Sequence, residues 1–251
     1  MVKGLTSSSI DWCQFGWPVV TGCKRKCSID GKIYCYAYNS VVHGRLKGQA
    51  NYNPDFSPKF NIRHLDAPAK RLKASTIFIA PLGELWGPWV PEGWQNMVME
   101  QVRYAENHTF LSLTKYPEQL DKYQTYRRNE RGDVWHFPEN LWLGTTVDDV
   151  GAIKRLWHLQ ETDHPKRFVS FEPLLGDVAA CKKFDLEGVG WVIIGGLSKG
   201  AVKVNPEAGH FMRLYAAAKR AGIPVFIKDN CTILSNPPKD FPEGFPEGFP
   251  K

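Results

Sequence analysis

Cys23, Cys27 and Cys35 crowd one short stretch, T-G-C-K-R-K-C-S-I-D-G-K-I-Y-C-Y-A. Thiolates at this spacing can converge on one metal centre, and three of them leave a coordination position open for a non-protein ligand. Zinc and iron–sulfur both fit the pattern. Zinc wants a fourth ligand, and His43 lies close enough downstream to supply it. Iron–sulfur ligation gains from the C-x3-C separation of Cys23 and Cys27 and from Tyr34 and Tyr36, an aromatic pair flanking Cys35 and able to cover a cofactor. A disulfide framework is disfavoured, because a chain of 251 residues can build a large core without staples. Cys13 and Cys181 read as packed thiols.

The remaining composition is that of an ordinary soluble globule, read as a single domain over 1–251. A net charge of +6 and a pI near 8.9 permit a nucleic-acid or phosphate-bearing partner without requiring one. The basic residues are spread: Lys24, Arg25 and Lys26 lie in the cysteine loop, and Arg127, Arg128 and Arg131 in a polar connection. The opening segment M-V-K-G-L-T-S-S-S-I has no apolar run of signal-peptide length, and no later stretch approaches a membrane span. The expectation is a cytoplasmic monomer with reduced thiols and no membrane contact.

The elements that must position the cysteines are short apolar runs alternating with amphipathic ones. Strands are predicted at Thr76–Ala80, Thr109–Leu113, Leu141–Thr145, Arg167–Phe171, Trp191–Ile194 and Val225–Ile227, with a short one at Trp17–Val20. Helical stripes run through Trp94, Met97, Val98 and Val102, through Val150, Ile153 and Trp157, and through Phe211, Leu214, Tyr215 and Ala218. Asp148 and Asn205 read as N-caps, with Pro206 at a first helical position. Sustained strand–helix alternation implies an α/β fold, a full or partial TIM-like (β/α) barrel rather than an open doubly wound sheet. No G-x-G-x-x-G follows an early strand. The stretch 45–73 reads as an insertion, and the tail 236–251, with its F-P-E-G repeat, as an extended segment packed along the surface.

In a parallel barrel the active site lies at the carboxyl ends of the strands, and here those ends are polar. They supply Gly83 and Glu84, Thr114 and Lys115, Thr145 and Thr146, Ser170 and Glu172, Gly195 and Gly196, and Lys228 to Cys231. Glu84 and Glu172 can bind an ammonium or sugar hydroxyls, and Lys115 and Lys228 can hold a carboxylate. Gly195 and Gly196 allow a flat ligand to approach the backbone. The same groups would serve equally as turns and buried ion pairs tying the rim. Trp86, Trp89 and Tyr116 near the mouth could stack a nucleobase or belong to the core.

Taken in order, W-P-V-V-T-G-C, Y-C-Y-A, I-F-I-A-P-L-G-E-L-W-G-P-W-V-P, F-L-S-L-T-K-Y-P-E, P-E-N-L-W-L-G-T-T-V, F-V-S-F-E-P-L-L-G and W-V-I-I-G-G make the chain resemble radical S-adenosylmethionine enzymes. Within them it is similar to a phage- and prokaryote-associated group carrying a domain of unknown function. The resemblance implies a [4Fe–4S] cluster on Cys23, Cys27 and Cys35, with S-adenosylmethionine chelating the fourth iron. It further implies cofactor contacts from Tyr34, Gly83, Glu84, Lys115, Thr145, Glu172, Gly195, Gly196 and Lys228. An external electron donor such as flavodoxin or ferredoxin would reduce the cluster. The phage association, the mild basicity and the aromatics near the mouth make a nucleobase in DNA or RNA the first expectation for the substrate, with a small metabolite or a peptide as the alternative. Cys231, just past the last strand, is expected either to return a hydrogen atom to a substrate radical or to be a packed thiol. One departure stands out: the usual loop is C-x3-C-x2-C, and here the second gap is C-x7-C. The alternative reading is a zinc-stabilised, non-catalytic nucleic-acid-binding protein using the same cysteines and His43.

Overall fold

A computed structural model of the protein describes residues 2–131, 135–197 and 203–246. The side chains of Arg128 and Arg131, and residues 247–251 of the tail, lie outside the described residues. The main sheet has eight strands in chain order: β1 Thr6–Ser7, β2 Phe15–Trp17, β3 Thr76–Ile79, β4 Thr109–Thr114, β5 Leu141–Thr146, β6 Arg167–Phe171, β7 Trp191–Ile194 and β8 Val225–Ile227. β1 pairs antiparallel with β2, and every later pairing is parallel. The helices are α1 Glu92–Tyr104, α2 Glu118–Arg131, α3 Lys154–Glu161 and α4 Ala208–Arg220.

Side chains alternate across the strands with period two, so each strand divides its residues between two cores. Ile77, Ile79, Leu141, Leu143, Val192, Ile194, Val225 and Ile227 join the buried faces of all four helices in one cluster. In α1 that face is Gln95, Val98, Met99 and Val102, a helical repeat of buried positions. The opposite face gathers Phe78, Leu111, Trp142, Phe168, Trp191, Ile193 and Phe226 around Trp12. The Trp12 ring centroid lies 4.8 Å from that of Phe78 on β3, 6.2 Å from Phe168 on β6 and 6.3 Å from Trp191 on β7. Strands three places apart in a flat sheet would be separated by about 14 Å. The sheet therefore curls around Trp12.

The curl does not close: no pairing joins β8 to β1 or β2 among the described residues, so of the full or partial barrel expected from the sequence the closed form is not found. The physical reason is visible at β8, whose free edge is taken by the tail. Ile227 N donates to Pro238 O and Asp240 N to Val225 O, and Phe241 and Phe245 then pack into the inner cluster.

The predicted strand at 17–20 is split. Pro18, which has no N–H to give a ladder, separates β2 from Val20–Thr21, and the latter pairs antiparallel with Lys59–Phe60. That pairing turns the predicted insertion into a brace for the segment entering the cysteine loop. Asn61 reinforces it, donating to Pro18 O at 2.9 Å. The caps also differ from expectation. Asp149, not Asp148, accepts from Ala152 N, and Glu207 caps α4 by accepting from Gly209 N and His210 N. Asn205 instead accepts from Thr232 N.

Candidate active site

Between Cys27 and Cys35 the chain folds out and back. Ser28–Ile29 pairs with Lys32–Ile33 across Asp30 and Gly31, both in the left-handed region at φ 48° and 75°. A D-G turn of this kind closes a two-residue hairpin. The excursion brings its two ends together: Tyr34 N donates to Cys27 O at 3.1 Å. The long gap is thus looped out, and the second and third cysteines become neighbours. Cys23 is held from the other side, its N–H donating to Phe56 O at 2.9 Å. Phe56, Ala37, Val41 and Leu46 form the small apolar cluster under the loop.

All three cysteines line one cavity of about 360 Å³, a size typical of small-molecule sites. Its other wall is the row of inward-facing strand ends. Glu84 is 6% exposed and accepts from Thr114 Oγ1 at 2.8 Å, Trp86 N at 3.0 Å and Lys115 N at 3.2 Å. Burial pushes its pKa up to about 7, against the pull of those three donors. Asp148 accepts from Lys115 Nζ at 2.6 Å, Arg155 Nη1 at 3.0 Å and the Tyr34 hydroxyl at 3.2 Å. Burial works against ionisation here too, but Lys115 and then Arg155 bring its pKa down to about 2. Through Tyr34, Asp148 ties the cysteine loop to the end of β4. Across the cavity, Lys228 forms an ion pair with Glu172.

Tyr34, Gly83, Glu84, Lys115, Glu172, Gly196 and Lys228, all expected at the site, do line the cavity. Three expected residues do not. Thr145 is fully buried on the helix side, donating to Thr114 O at 2.9 Å, and its neighbour Thr146 faces the cavity instead. Cys231, 1% exposed, belongs to the helix-side core, the packed placement that is one of the two expected for it. Parity explains both: along β5 and beyond β8, even-numbered residues point inward. Gly195 sits in a tight spot, where a Cβ would meet Lys228, Asn230 and Glu172 side chains at 3.1–3.2 Å. Gly83 likewise lets its backbone approach Val20 O and Thr21 Cα, 2.8 and 2.9 Å from where a Cβ would sit.

Of the aromatics, Trp86 is fully buried, donating to Ser112 Oγ at 2.8 Å, and is core. Trp89 and Tyr116 meet edge to face at 5.0 Å, with the Arg25 guanidinium 5.9 Å from the Tyr116 ring. Sequence reasoning missed Asp148 as a site residue, reading it as a cap. Its inward parity with Thr146 was the available signal.

The donor chemistry suits a metal cluster: three thiols free of disulfides on one cavity wall, with Cys27 drawn toward the thiolate chiefly by the neighbouring Cys35. As they stand the thiols are not gathered on a point, and no group of three His, Cys, Asp or Glu side chains among the described residues is arranged to hold a metal ion. His43 is exposed, packs against Tyr38 and does not line the cavity, so the structure does not bring the fourth zinc ligand to the cysteines. No helix is long and apolar enough to cross a membrane among the described residues.

Residues 7–236 match the family described as Protein of unknown function (DUF5131). No curated protein matches the chain. Among solved structures it is similar to a cysteine-to-alanine mutant of spore photoproduct lyase, at 13% identity and TM-score 0.48, covering 78% of this chain and 60% of that one. A mutant with dinucleoside spore photoproduct gives 12% identity and TM-score 0.49 over 87% of this chain and 63% of that one. A double mutant with bound AdoMet and dinucleoside spore photoproduct gives 11% and 0.47, over 86% and 64%. The chain spans about 60% of the length of the first of these.

Proposed function

The chain belongs to the DUF5131 family, and we propose that it acts as a radical S-adenosylmethionine enzyme, with a [4Fe–4S] cluster on Cys23, Cys27 and Cys35 and a nucleobase in DNA or RNA as substrate. The observation that carries this reading is the placement of three thiols in one cavity with a carboxylate and an ammonium, at the ends of parallel strands that follow one another in chain order. When bound, the cluster and cofactor together supply an electron to the sulfonium and a 5′-deoxyadenosyl radical that takes hydrogen from substrate.

The protein's own part is to bind, orient and exclude water. Glu84, balanced near neutrality, ionises when an ammonium such as the cofactor's amino group arrives to compensate it. Lys115 and Arg155 share the single carboxylate of Asp148, so this side of the cavity keeps one positive charge in excess, suited to a carboxylate. The Tyr34 hydroxyl holds the third cysteine's neighbour against that group. Trp12, Phe78 and Leu113 give the cavity an apolar floor that keeps solvent from a reactive intermediate. Support for a nucleic-acid partner comes from the mouth, where exposed Lys24 and Lys26 flank Arg25 beside the Tyr116–Trp89 pair. A flavodoxin or ferredoxin as electron donor, a cytoplasmic setting and a monomeric state complete the reading.

Anaerobic reconstitution tests it. Iron and sulfide should approach four each per chain, as such a cluster requires, and Cys27→Ala should abolish that content, while Cys181→Ala should not. With reductant, chromatography should find 5′-deoxyadenosine and methionine. A full cluster in Cys27→Ala, or only S-adenosylhomocysteine or methylthioadenosine as product, would sink the proposal.

A further inference from the structure

The half of the cavity formed by β6 and β8 carries polar groups that cluster and cofactor binding do not account for. Ser170 is 1% exposed and lines the cavity, yet its hydroxyl has no partner among the described residues. A buried hydroxyl without a partner is costly, so such groups commonly serve a ligand. Glu172 follows two residues later on the same face and is paired with Lys228 from the end of β8. That pair is the one contact made by either charged group among the described side-chain hydrogen bonds, so a second carboxylate oxygen and further ammonium hydrogens remain in valence. Asn230 is engaged with the end of β7: it accepts from Gly196 N at 3.1 Å and donates to Gly196 O at 2.8 Å.

In order along the wall, these residues offer a donor from Ser170, an acceptor from Glu172 and a donor from Lys228. Glu172 is central because it neighbours both. The complementary ligand edge reads acceptor, donor, acceptor, which is a carbonyl, an N–H and a second carbonyl. The floor beside it is apolar, with Trp12, Phe78 and Leu113. We infer that Ser170, Glu172 and Lys228 form a substrate subsite for a cyclic imide, the edge presented by uracil- and thymine-type bases. Glu172 and Lys228, expected from the sequence to touch the cofactor, thereby become specificity residues. A cytosine edge puts two acceptors against donor, acceptor, donor and mismatches it. The inference rests on the cavity being the catalytic site proposed above.

The experiment uses the full chain, reconstituted with iron and sulfide, and measures binding of uridine, 3-methyluridine and cytidine by equilibrium dialysis. Uridine should bind saturably, with the other two about tenfold weaker or more, since each loses a hydrogen bond to a charged group. In Glu172→Ala the preference for uridine over 3-methyluridine should collapse, and Ser170→Ala should weaken the two alike. Equal binding of the three nucleosides to the unmodified chain, or no binding of any, overturns the subsite, and neither result depends on a variant folding. Imide selectivity without 5′-deoxyadenosine formation would overturn the radical reading and leave the subsite standing. Formation of 5′-deoxyadenosine without selectivity would do the reverse.

Discussion

Glu84, which lines the cavity, and Asp148, which lies behind it on Lys115 and Tyr34, are both buried carboxylates, 6% and 8% exposed, and their surroundings push them in opposite directions. Glu84 is met by a hydroxyl and two backbone N–H groups, so burial wins and its pKa rises to about 7. Asp148 is met by two cations and a phenol, so charge wins over the same burial and its pKa falls to about 2. Depth alone therefore does not set ionisation. What differs is whether a cation comes from the protein or is left to be brought by a ligand. Asp148 is committed to the frame, and Glu84 is kept available.

The strongest way to break that contrast is Asp148→Ala, which strands Lys115 and Arg155 in a buried setting. A loss of about 3–5 kcal/mol is expected in urea unfolding, the scale for removing one partner of a buried ion pair. A loss under about 1 kcal/mol would mean that Asp148 holds little together. In the unmodified chain, the Asp148 contribution should be complete above pH 3.8, the ordinary value, and vanish as pH falls through about 2.

Glu84 gives the opposite sign. Its folded pKa is raised, so the native state holds a proton that the unfolded chain releases. Stability from this group is complete below 4.5, the ordinary value, and declines as pH rises through about 7. The decline should be on the order of 3 kcal/mol in the chain without cofactor, and Glu84→Gln should remove it. Urea midpoints of the two proteins with parallel pH dependence between 4.5 and 7 would refute the assignment.

Tyr34→Phe removes one phenol from Asp148 while keeping the ring. The expected cost is roughly 1–2 kcal/mol, the scale of a hydrogen bond to a charged group, accompanied by looser thiol protection at Cys35 in alkylation rates. Smallest of all is His43→Ala, an exposed change expected to stay within about 0.5 kcal/mol and to leave reconstituted iron unaltered. Iron loss there would revive the zinc alternative.

The strands were legible because a buried parallel sheet demands nearly continuous apolar runs, and β6, β7 and β8 have the bounds read from the sequence. Helix α2 was not, because the stripe it turns toward the core includes Leu120, Tyr123, Gln124 and Arg127, and two polar members erase the apolar period. The cysteines and most strand-end residues were visible by type and position. Thr145 was set on the cavity side because residue type was weighed without parity, and the same parity selects the packed option for Cys231. Asp148 escaped because capping and ion pairing ask for the same short carboxylate. The D-G pair that folds out the long cysteine gap was present in the sequence, but its effect depends on Tyr34 N reaching Cys27 O, a contact no local pattern specifies. Closure of the sheet was equally out of local reach, since it turns on a tail that occupies the edge of β8.

The docking of Phe241 and Phe245 onto Trp191, at centroid distances of 5.5 and 5.3 Å, bears on how the chain is made. These rings are synthesised after every strand of the sheet, and they cover aromatic surface laid down far earlier. Until they clear the ribosome, the inner faces of β5, β7 and β8 lack their final cover, at synthesis rates of about 5–20 residues per second. A nascent chain stalled before residue 241 would present a ready binding surface to chaperones, and one released there would be prone to aggregate.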